Sequence, residues 1–351
     1  MSSRSTIYEV AQRSGVSTAT VSRVMRDVGG YSAATRDRVR ASAREIGWVP
    51  SGSARGLASR RSGIIGVLFP DLGSSGETEE ESPLYVDQVI RGAERAATAV
   101  GHAVLIAATR GTSGRELAYS VAGKVDGLVV MARSLTEQDV DAISRSVPTV
   151  VFANRSSRTR LDSVGADNRG GMAAVVTHLI DEHGYTDIAF VSGPSRSPDS
   201  VARFAGYRDA LVAADLPAPK APAAGGEFTE AGGERAVREL LTERRPQAIV
   251  CGNDEMAIGA LAVLGRAKLR VPGDIAVTGF DDIASARHVR PALTTVHQPM
   301  RELGEQAVIV MLARLREPDA PRRSIVLPTQ SVIRRSCGCR GRSTTTRRHT
   351  S

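Results

Sequence analysis

From residue 63 onward, the chain alternates short, unbroken apolar runs with longer stretches in which apolar residues recur at helical spacing. The apolar runs that predict strands lie at 64–69, 103–108, 127–131, 149–153, 188–193, 248–252 and 275–280. The helical stretches lie between them, among others at 85–100, 169–183, 201–214, 229–243 and 254–266. Buried strands that alternate with helices are typical of parallel sheets covered by helices on both faces. About 270 residues need two such sheets, so the pattern predicts a two-lobed α/β body.

The first fifty residues form a different pattern, which we call the head, with three short helical periods and no strand. Gly15 can end a first helix, and Ser17 can cap a second. Ser32 can cap a third helix, which Gly47 ends. The first two helices are predicted at about 7–14 and about 18–26. Two short helices joined by a tight glycine turn predict a helix-turn-helix, whose second helix can enter the major groove of DNA.

The second helix has one apolar side and one small polar side. Val21 and Val24 must face the other two helices, which leaves Arg23 and its neighbours outside. Arg23 can hydrogen-bond a guanine edge, and small hydroxyl and methyl groups suit other base edges or phosphates. A plain three-helix bundle with a polar outer face has the same pattern. The head residues predicted to contact DNA are Thr6, Ser17, Thr18, Ala19, Ser22, Arg23 and Arg26.

Length and composition restrict the class of protein. A chain of 351 residues is multidomain, and no run approaches the roughly 20 apolar residues of a membrane span. The N-terminus has no apolar core or cleavage site typical of a signal peptide, so we expect a cytoplasmic, nucleoid-associated protein. Three cysteines in so long a chain do not suggest a disulfide framework, which fits a reducing compartment.

The net charge of +8 is concentrated at the two ends of the chain. Residues 1–62 contain eleven arginines and four acidic residues, and residues 334–351 contain six arginines and no acidic residue. The long middle is therefore acidic. A cationic head on an acidic body indicates a polyanion that only the head binds, and nucleic acid is the first candidate. For the basic tail, a solvated charged segment is the simpler interpretation.

Several motifs together resemble the lactose/galactose repressor (LacI/GalR) family of bacterial transcription regulators. The resemblance begins with TIYEVAQRSGVSTATVSRVMR at 6–26 and continues through SAATRDRVRASAREIGWVPSGSARGLAS at 32–59. In the body it includes VDGLVV, DNRGG, RFAGYRDAL, GNDEMAIGAL, VPGDIAVTGFDD and PALTTVHQP. It covers some 330 residues and leaves out only the tail. It implies two lobes like those of periplasmic binding proteins, with an effector cleft between them.

The resemblance also implies a hinge helix that folds on DNA and inserts a leucine into the minor groove. The matching segment is SGSARGLAS, with Leu57 as the wedge and Ala54 and Arg55 beside it. A flexible Ser/Gly/Arg linker is the alternative interpretation. The predicted regions are a head (1–50), a hinge (51–62), an effector-binding and dimerisation body (63–336), and a basic disordered tail (337–351). The first lobe comprises about 63–164 and 300–325, and the second about 165–297 and 326–336.

Ligands of open α/β sheets bind beyond the carboxyl ends of the strands, so polar residues that follow strands are candidates. These are Asp71, Asn154, Asn253 and Asp281. The resemblance adds Arg203, Phe228 and Gln298, with Asp254 and Asp282 as further candidates. Carboxylates, amides and an arginine suit vicinal hydroxyl groups, and a phenylalanine offers an apolar platform. The acidic loop at 73–85 departs from the family pattern, which leaves the effector's identity open.

Other classes of protein explain only part of this sequence. No glycine-rich phosphate loop or Ser/His/Asp order supports an enzyme, and CGC at 337–339 lacks a second ligand pair at zinc spacing, so no metal or other cofactor is predicted. An exported solute-binding protein leaves the head unexplained, and an architectural DNA binder leaves the body unexplained. We therefore predict a homodimeric repressor that a small sugar-like effector releases from a pseudo-palindromic operator. A repressor that a corepressor activates, or an architectural DNA binder without a ligand, is the alternative.

Overall fold

The computed structural model describes residues 5–25, 27–49, 61–70, 84–109, 113–152 and 161–339. Its contacts divide the chain into two compact units, Met1–Gly63 and Ile64–Ser351. The first unit contains the head and the second contains the body. Within the described ranges, no helix combines the length and apolar character that crossing a membrane requires.

The head consists of three helices around a small apolar core. They are α1 (Ile7–Ser14), α2 (Thr18–Met25) and α3 (Ala33–Glu45). Gly15 ends α1 with φ at +66°, a left-handed conformation that glycine adopts without strain. Side-chain oxygens of Ser17 and Ser32 accept hydrogen bonds from backbone amides and so cap α2 and α3. The buried apolar residues are Val10, Ala11, Val21, Val24, Val39 and Ala43.

The first lobe of the body is built on a six-stranded parallel sheet. Its strands are β1 (Ile64–Pro70), β2 (Ala103–Thr109), β3 (Gly127–Val130), β4 (Thr149–Phe152), β5 (Asp162–Ala166) and β11 (Ser324–Leu327), in the order β11-β5-β4-β3-β1-β2. Its helices are α4 (Leu84–Thr98), α5 (Ser113–Ala122), α6 (Glu137–Ser144) and α11 (Met300–Arg316). The central strands β3 and β4 are buried along their whole length.

The second lobe repeats this plan on a smaller scale. Its four-stranded parallel sheet has β6 (Ile188–Ser192), β7 (Ala224–Gly225), β8 (Ala248–Cys251) and β9 (Ala276–Thr278), in the order β7-β6-β8-β9. An antiparallel pair, β10 (Thr295–His297) and β12 (Gln330–Val332), adjoins this sheet next to the end of β9, where the amides of Gly279 and Asp281 donate to the Thr294 and Val296 oxygens. The helices of this lobe are α7 (Asn168–His183), α8 (Pro198–Ala213), α9 (Glu230–Glu243) and α10 (Asp254–Arg266).

This architecture confirms the predicted all-α head and two-lobed α/β body. All seven predicted strands are present, and the five predicted helices of the body start and end within about three residues of the predicted bounds. The sequence pattern missed five short strands, β5, β7, β10, β11 and β12, and did not single out α5, α6 and α11.

The end of the body lies further along the chain than the sequence suggested. Cys337 is fully buried and packs in the core of the second lobe with residues of α7 and α8. The described chain continues to Cys339. The prediction that a disordered tail begins at 337 is therefore wrong for these first three residues, because the Cys337 side chain is part of the core.

Candidate functional site

In the head, α2 presents its small polar side outward. Val21 and Val24 are buried in the core, while Ala19 and Arg23 are exposed and Thr18 and Ser22 are half-buried. Ser17, at the exposed start of the helix, accepts a hydrogen bond from the amide of Thr20 at 3.1 Å. Thr6 is exposed at the start of α1, where its side chain and that of Glu9 form a capping box.

The arginines of the head divide into two groups. Arg13 pairs with Glu45 at 3.2 Å, Arg40 pairs with Asp27 at 2.8 Å, and Arg38 donates to the backbone oxygen of Ser14 at 2.8 Å. Arg23 has no ion-pair partner among the described residues. Its guanidinium is therefore available for a ligand outside the head. Arg26, Ala54, Arg55 and Leu57, also predicted to contact DNA, lie outside the described residues.

In the body, Arg203 on α8 is the centre of a buried polar network. Its Nε donates to Asn168 Oδ1 at 2.7 Å, its Nη1 donates to the Gly252 oxygen at 2.6 Å, and its Nη2 donates to Asp281 Oδ1 at 3.0 Å. Asn168 in turn donates through Nδ2 to Asp199 Oδ1 at 2.8 Å. Both strand-end and helix-start residues therefore converge on one arginine, as expected at the carboxyl edge of a parallel sheet.

Asp281 follows β9 and has an unusual backbone, with φ at +112°. Its Oδ1 accepts hydrogen bonds from Arg203 and, at 3.4 Å, from Gln298 Nε2. Among the described residues, every side-chain hydrogen bond of Asp281 ends on Oδ1, which leaves Oδ2 available to a ligand. Burial raises the pKa of Asp281 to about 6 and the nearby Asp199 also raises it, while Arg203 acts in the opposite direction.

Aromatic rings flank this charged network. The Arg203 guanidinium lies 3.8 Å from the ring centroid of Phe280, which is fully buried, and 5.6 Å from that of Phe228. Phe228 has a left-handed backbone, with φ at +66°, and its ring packs so closely on Gly193 that a Cβ there would lie 2.2 Å from a ring carbon. The ring is therefore fixed beside the arginine, where it offers an apolar surface.

These groups line a cavity between the two lobes of about 100 Å³. The second lobe contributes the polar side chains described above, and the first lobe contributes mainly apolar ones. The lining residues from the first lobe are Pro70, Tyr85, Val86, Met131, Ala132, Arg133 and Phe152. A ligand in this cavity would touch both lobes, so its binding would favour their closed arrangement.

Two predicted effector residues have mainly supporting positions. Asn253 borders the cavity, but both ends of its side-chain amide have partners in the protein. Its Oδ1 caps α10 by accepting from the backbone N–H of Met256 at 3.0 Å, and its Nδ2 donates to the Phe228 backbone oxygen at 3.0 Å. Gln298 is 3 % exposed and does not line the cavity; it accepts from Arg203 and donates to Asp281, both at 3.4 Å. Both amides therefore hold other members of the site in place.

The two further candidates, Asp254 and Asp282, also do not line this cavity. Asp254 is fully buried and accepts hydrogen bonds from Thr295 and from the amide of Ile283. Asp282 forms ion pairs with Arg287 and Arg334. These contacts give both carboxylates a structural explanation. Asp71 and Asn154, which the sequence also predicted, lie outside the described residues, as does most of the acidic loop at 73–85.

Asp199, Asn168 and Tyr85 belong to the site but were not predicted from the sequence. Burial raises the pKa of Asp199, which lines the cavity in the first turn of α8. Its position after the strand at 188–193 was a usable signal, because the loop that follows a strand reaches the same edge of the sheet. Tyr85 comes from α4, the first helix after the acidic loop, and no local pattern distinguishes it from a core aromatic residue.

The comparisons with known proteins agree with this arrangement. The model of bacterial regulatory proteins of the lacI family matches residues 6–51, and that of a periplasmic binding protein-like domain matches residues 176–337. The ribose operon repressor of Escherichia coli (strain K12) is 35% identical over 319 residues, which cover 89% of this chain and 94% of the repressor. The chain belongs to the lacI family. As a family member, it is a ligand-responsive DNA-binding transcriptional regulator.

Solved structures of lacI-family proteins have the same fold. The lac repressor dimer bound to operator and the anti-inducer ONPF gives a TM-score of 0.82 at 28% identity and covers 95% of this chain and 99% of that one. The complex of the transcriptional regulator CelR with cellobiose gives a TM-score of 0.72 at 29% identity and covers 95% of this chain and 100% of that one. These similarities confirm the resemblance that the motifs carried and the predicted fold class.

Proposed function

We propose that this lacI-family protein is a repressor that a small sugar-like effector releases from its operator. The observation that carries this proposal is the buried Arg203, which pairs with Asp281 and is linked to Asp199 through Asn168, with all three charged side chains lining the cavity between the lobes. An arginine and carboxylates can donate to and accept from neighbouring hydroxyl groups, and Phe228 offers an apolar face. This combination suits a polyhydroxylated ring better than a large apolar ligand.

The chemistry of the relatives supports the same ligand class. One similar structure holds cellobiose, and the E. coli relative is named for the ribose operon. The proposed effector contacts are Asp199, Arg203, Phe228 and Asp281, with Asn168, Asn253 and Gln298 as positioning residues. The proposal includes no cofactor and no enzymatic reaction, because the relatives are named as repressors and regulators.

The head is the proposed reader of the operator. Thr18, Ala19 and Arg23 face base edges in the proposal, while Thr6, Ser17 and Ser22 face phosphates. Two heads of a homodimer would then read two half-sites of a pseudo-palindrome, with the segment at 51–62 as the hinge and residues 63–336 as the dimerising, effector-binding body. The lac repressor in the similar structure is a dimer on its operator. A protein that acts on bacterial DNA would work in the cytoplasm, at the nucleoid.

A titration of operator affinity tests the effector proposal. The operator is first selected from genomic fragments with the purified full chain, and its dissociation constant is then measured with a panel of sugars and, for comparison, purines. We expect one sugar to weaken operator binding by about 5- to 150-fold, the usual range of coupling between two sites. Tighter binding would show a corepressor instead, and no response to any ligand would leave a DNA binder without an effector.

A matched pair of head variants tests the reading surface. Arg23→Ala removes an arginine that has no ion-pair partner in the described part of the head, and we expect it to weaken operator binding by about 1–3 kcal/mol and to relax sequence preference at one base pair. Arg13→Ala is the control, because the Arg13 side chain pairs with Glu45 on the head itself. Equal effects of the two variants would contradict the proposed role of Arg23.

Leu57→Ala tests the hinge, where we expect a larger loss of specific than of non-specific binding.

A further inference from the structure

Four metal-ligating side chains meet in the second lobe, at the C-terminal end of α7. His178 and His183 come from this helix, and Cys337 and Cys339 come from the segment that follows β12. Their ligand atoms all lie within 4.8 Å of one another. No metal was predicted from the sequence, because CGC at 337–339 lacks a second ligand pair at zinc spacing. The fold supplies that pair from more than 150 residues earlier in the chain.

The distances match those of ligands that share one zinc ion. His178 Nε2 lies 3.6 Å from Cys337 Sγ and 3.6 Å from Cys339 Sγ, and His183 Nε2 lies 3.5 Å from Cys339 Sγ. With Zn–S near 2.3 Å and Zn–N near 2.0–2.1 Å, tetrahedral geometry places a sulfur and a nitrogen about 3.6 Å apart. A single imidazole nitrogen also has only one hydrogen or one lone pair in the ring plane, so it cannot form good hydrogen bonds to both sulfurs at once.

The groups around the four side chains hold them in these positions. Tyr185 stacks on the His183 ring at 5.4 Å and donates to the Cys337 backbone oxygen at 3.3 Å. Thr294 donates to Cys337 Sγ at 3.1 Å, the type of contact that supports metal-bound thiolates. Gly338 has φ at +115°, a conformation that favours glycine and that turns the chain so that both cysteines face α7.

We propose that His178, His183, Cys337 and Cys339 bind one zinc ion. Two thiolates and two imidazoles select zinc over the hard cations magnesium and calcium, which prefer oxygen ligands. Four protein ligands complete a tetrahedral shell and leave no open position for substrate, so the site is structural and not catalytic. The bound ion links the C-terminal segment to α7. Without the ion, the two cysteines contact α7 only through packing and hydrogen bonds.

The zinc site is separate from the effector cavity. Asn168, the Arg203 partner, is at the first residue of α7, and His178 is ten residues further along the same helix. At 1.5 Å per residue the two positions are about 15 Å apart along the helix axis. None of the four ligands lines the cavity. The proposal therefore does not depend on the identity of the effector.

Cobalt binding tests the site directly. The full-length protein is purified with a reductant, stripped with a chelator and titrated with Co²⁺, whose tetrahedral thiolate complexes absorb in the visible and near-ultraviolet ranges. We expect one Co²⁺ per chain, displacement by an equivalent of Zn²⁺, and one zinc per chain in protein purified without chelator. Zinc should also raise the melting temperature, because it binds the folded state.

Variants of the more accessible ligands keep the test independent of folding. Cys339→Ser and His183→Gln should each weaken Co²⁺ binding by at least about 100-fold, more than the loss of an outer-shell partner does. His288→Ala is the control, because His288 is exposed and lies outside the cluster. Circular dichroism confirms that each variant folds. The proposal is overturned by absence of the tetrahedral cobalt spectrum, by its retention in both ligand variants, or by a Cys337–Cys339 disulfide in protein purified with reductant.

Discussion

Among the described residues of the body, two buried Arg–Asp pairs are alike in composition and burial and differ in electrostatics. Arg314 and Asp162 in the first lobe have side chains 5 % and 1 % exposed, and Arg203 and Asp281 in the second lobe have side chains 5 % and 8 % exposed. Burial raises the pKa of Asp162, but hydrogen bonds from Arg314 and the Arg323 amide more than offset this and bring it below its usual value. Burial raises the pKa of Asp281 to about 6, and its arginine does not offset this.

The number of donors around each carboxylate explains the difference. Both oxygens of Asp162 accept from Arg314, at 2.7 and 3.0 Å, and Oδ1 also accepts from the amide of Arg323 at 2.8 Å. Arg314 donates its other hydrogens to backbone oxygens of the turn after α11. Arg203 instead donates to four different residues, so that Asp281 accepts from it on Oδ1 alone.

A complete set of partners indicates a structural pair, and an incomplete set beside a cavity indicates a binding site. Asp162 has no need of a ligand, because its charge is fully compensated within the lobe. Asp281 is held partly unsatisfied, in contact with the cavity, where an effector hydroxyl could complete its hydrogen bonds. Variants of the two pairs should therefore separate stability from ligand response.

The largest effect on stability is expected for Arg314→Met. Removal of the arginine leaves the buried Asp162 charge without its main partner and takes one donor from each of four backbone oxygens, of which that of Glu317 still accepts from the Ala320 amide. We expect the free energy of unfolding to fall by about 3–5 kcal/mol in a denaturant titration. The double variant Arg314→Met/Asp162→Asn should recover part of this loss, because it no longer buries an unpaired charge. A loss below about 1 kcal/mol would mean that the pair is not a closed structural unit.

Arg203→Met should affect ligand response more than stability. Asp281 can take up a proton when its partner is removed, because its pKa is already raised, so we expect a smaller loss of stability than for Arg314→Met. Effector affinity should fall by about 10- to 150-fold, the equivalent of one lost charge-assisted hydrogen bond of about 1.5–3 kcal/mol. The measurement is operator release by the effector identified with the wild type. A normal effector response in the folded variant would remove Arg203 from the proposed site.

The two carboxylates should also respond oppositely to pH. In the folded protein, Asp281 keeps its proton up to about pH 6, which is above its pKa in the unfolded chain. Its contribution to stability therefore falls as the pH rises from about 4 to 7. Asp281→Asn removes this titration, and we expect the variant to gain on the order of 2 kcal/mol relative to the wild type between pH 4.5 and 7.

Asp162→Asn is the control of opposite sign. The pKa of Asp162 is lowered in the folded state. Ionised Asp162 therefore stabilises the fold at pH values above its pKa in the unfolded chain, and this stabilisation is lost as the pH falls through its pKa in the folded protein. The variant should therefore be less stable than the wild type at pH 7. A difference between Asp281→Asn and the wild type that is the same at pH 4.5 and pH 7 would contradict the raised pKa of Asp281.

The contrast between the pairs also marks what the sequence could predict. Strands with unbroken apolar runs were predicted, but β5 was not, because its sequence DSVGA carries a buried aspartate that is compensated from distant parts of the chain, chiefly by Arg314 of α11 and also by the Arg323 amide. Strand-end polarity pointed to Asp281, and family motifs pointed to Arg203. Neither the strand-end polarity nor the family motifs distinguish Asp281, which lines the cavity, from Asp282, which pairs with Arg334.

Long-range pairing accounts for the other omissions. Asn168 follows β5 in the sheet of the first lobe, Asp199 follows β6 in the sheet of the second lobe, and the two meet because α7 and α8, at whose starts they lie, pack against each other. The same reasoning applies to the Cys/His cluster, whose two pairs are far apart in the chain and share a site through the packing of the last segment on α7. The spacing of Cys337 and Cys339 alone predicted an incomplete site, because local spacing does not show that the fold places His178 and His183 beside them.

The smallest effect is expected for a third Arg–Asp pair, which is exposed. Arg169 and Asp209 join α7 to α8 through a bidentate contact, with side chains 63 % and 45 % exposed. The hydrogen bond from Arg169 lowers the pKa of Asp209, yet water screens both groups, so Arg169→Met should change the free energy of unfolding far less than Arg314→Met does and should leave the effector response intact. High salt should reduce even this difference. A loss as large as that of Arg314→Met would mean that the geometry of an arginine pair, and not its burial and the completeness of its partners, determines its contribution.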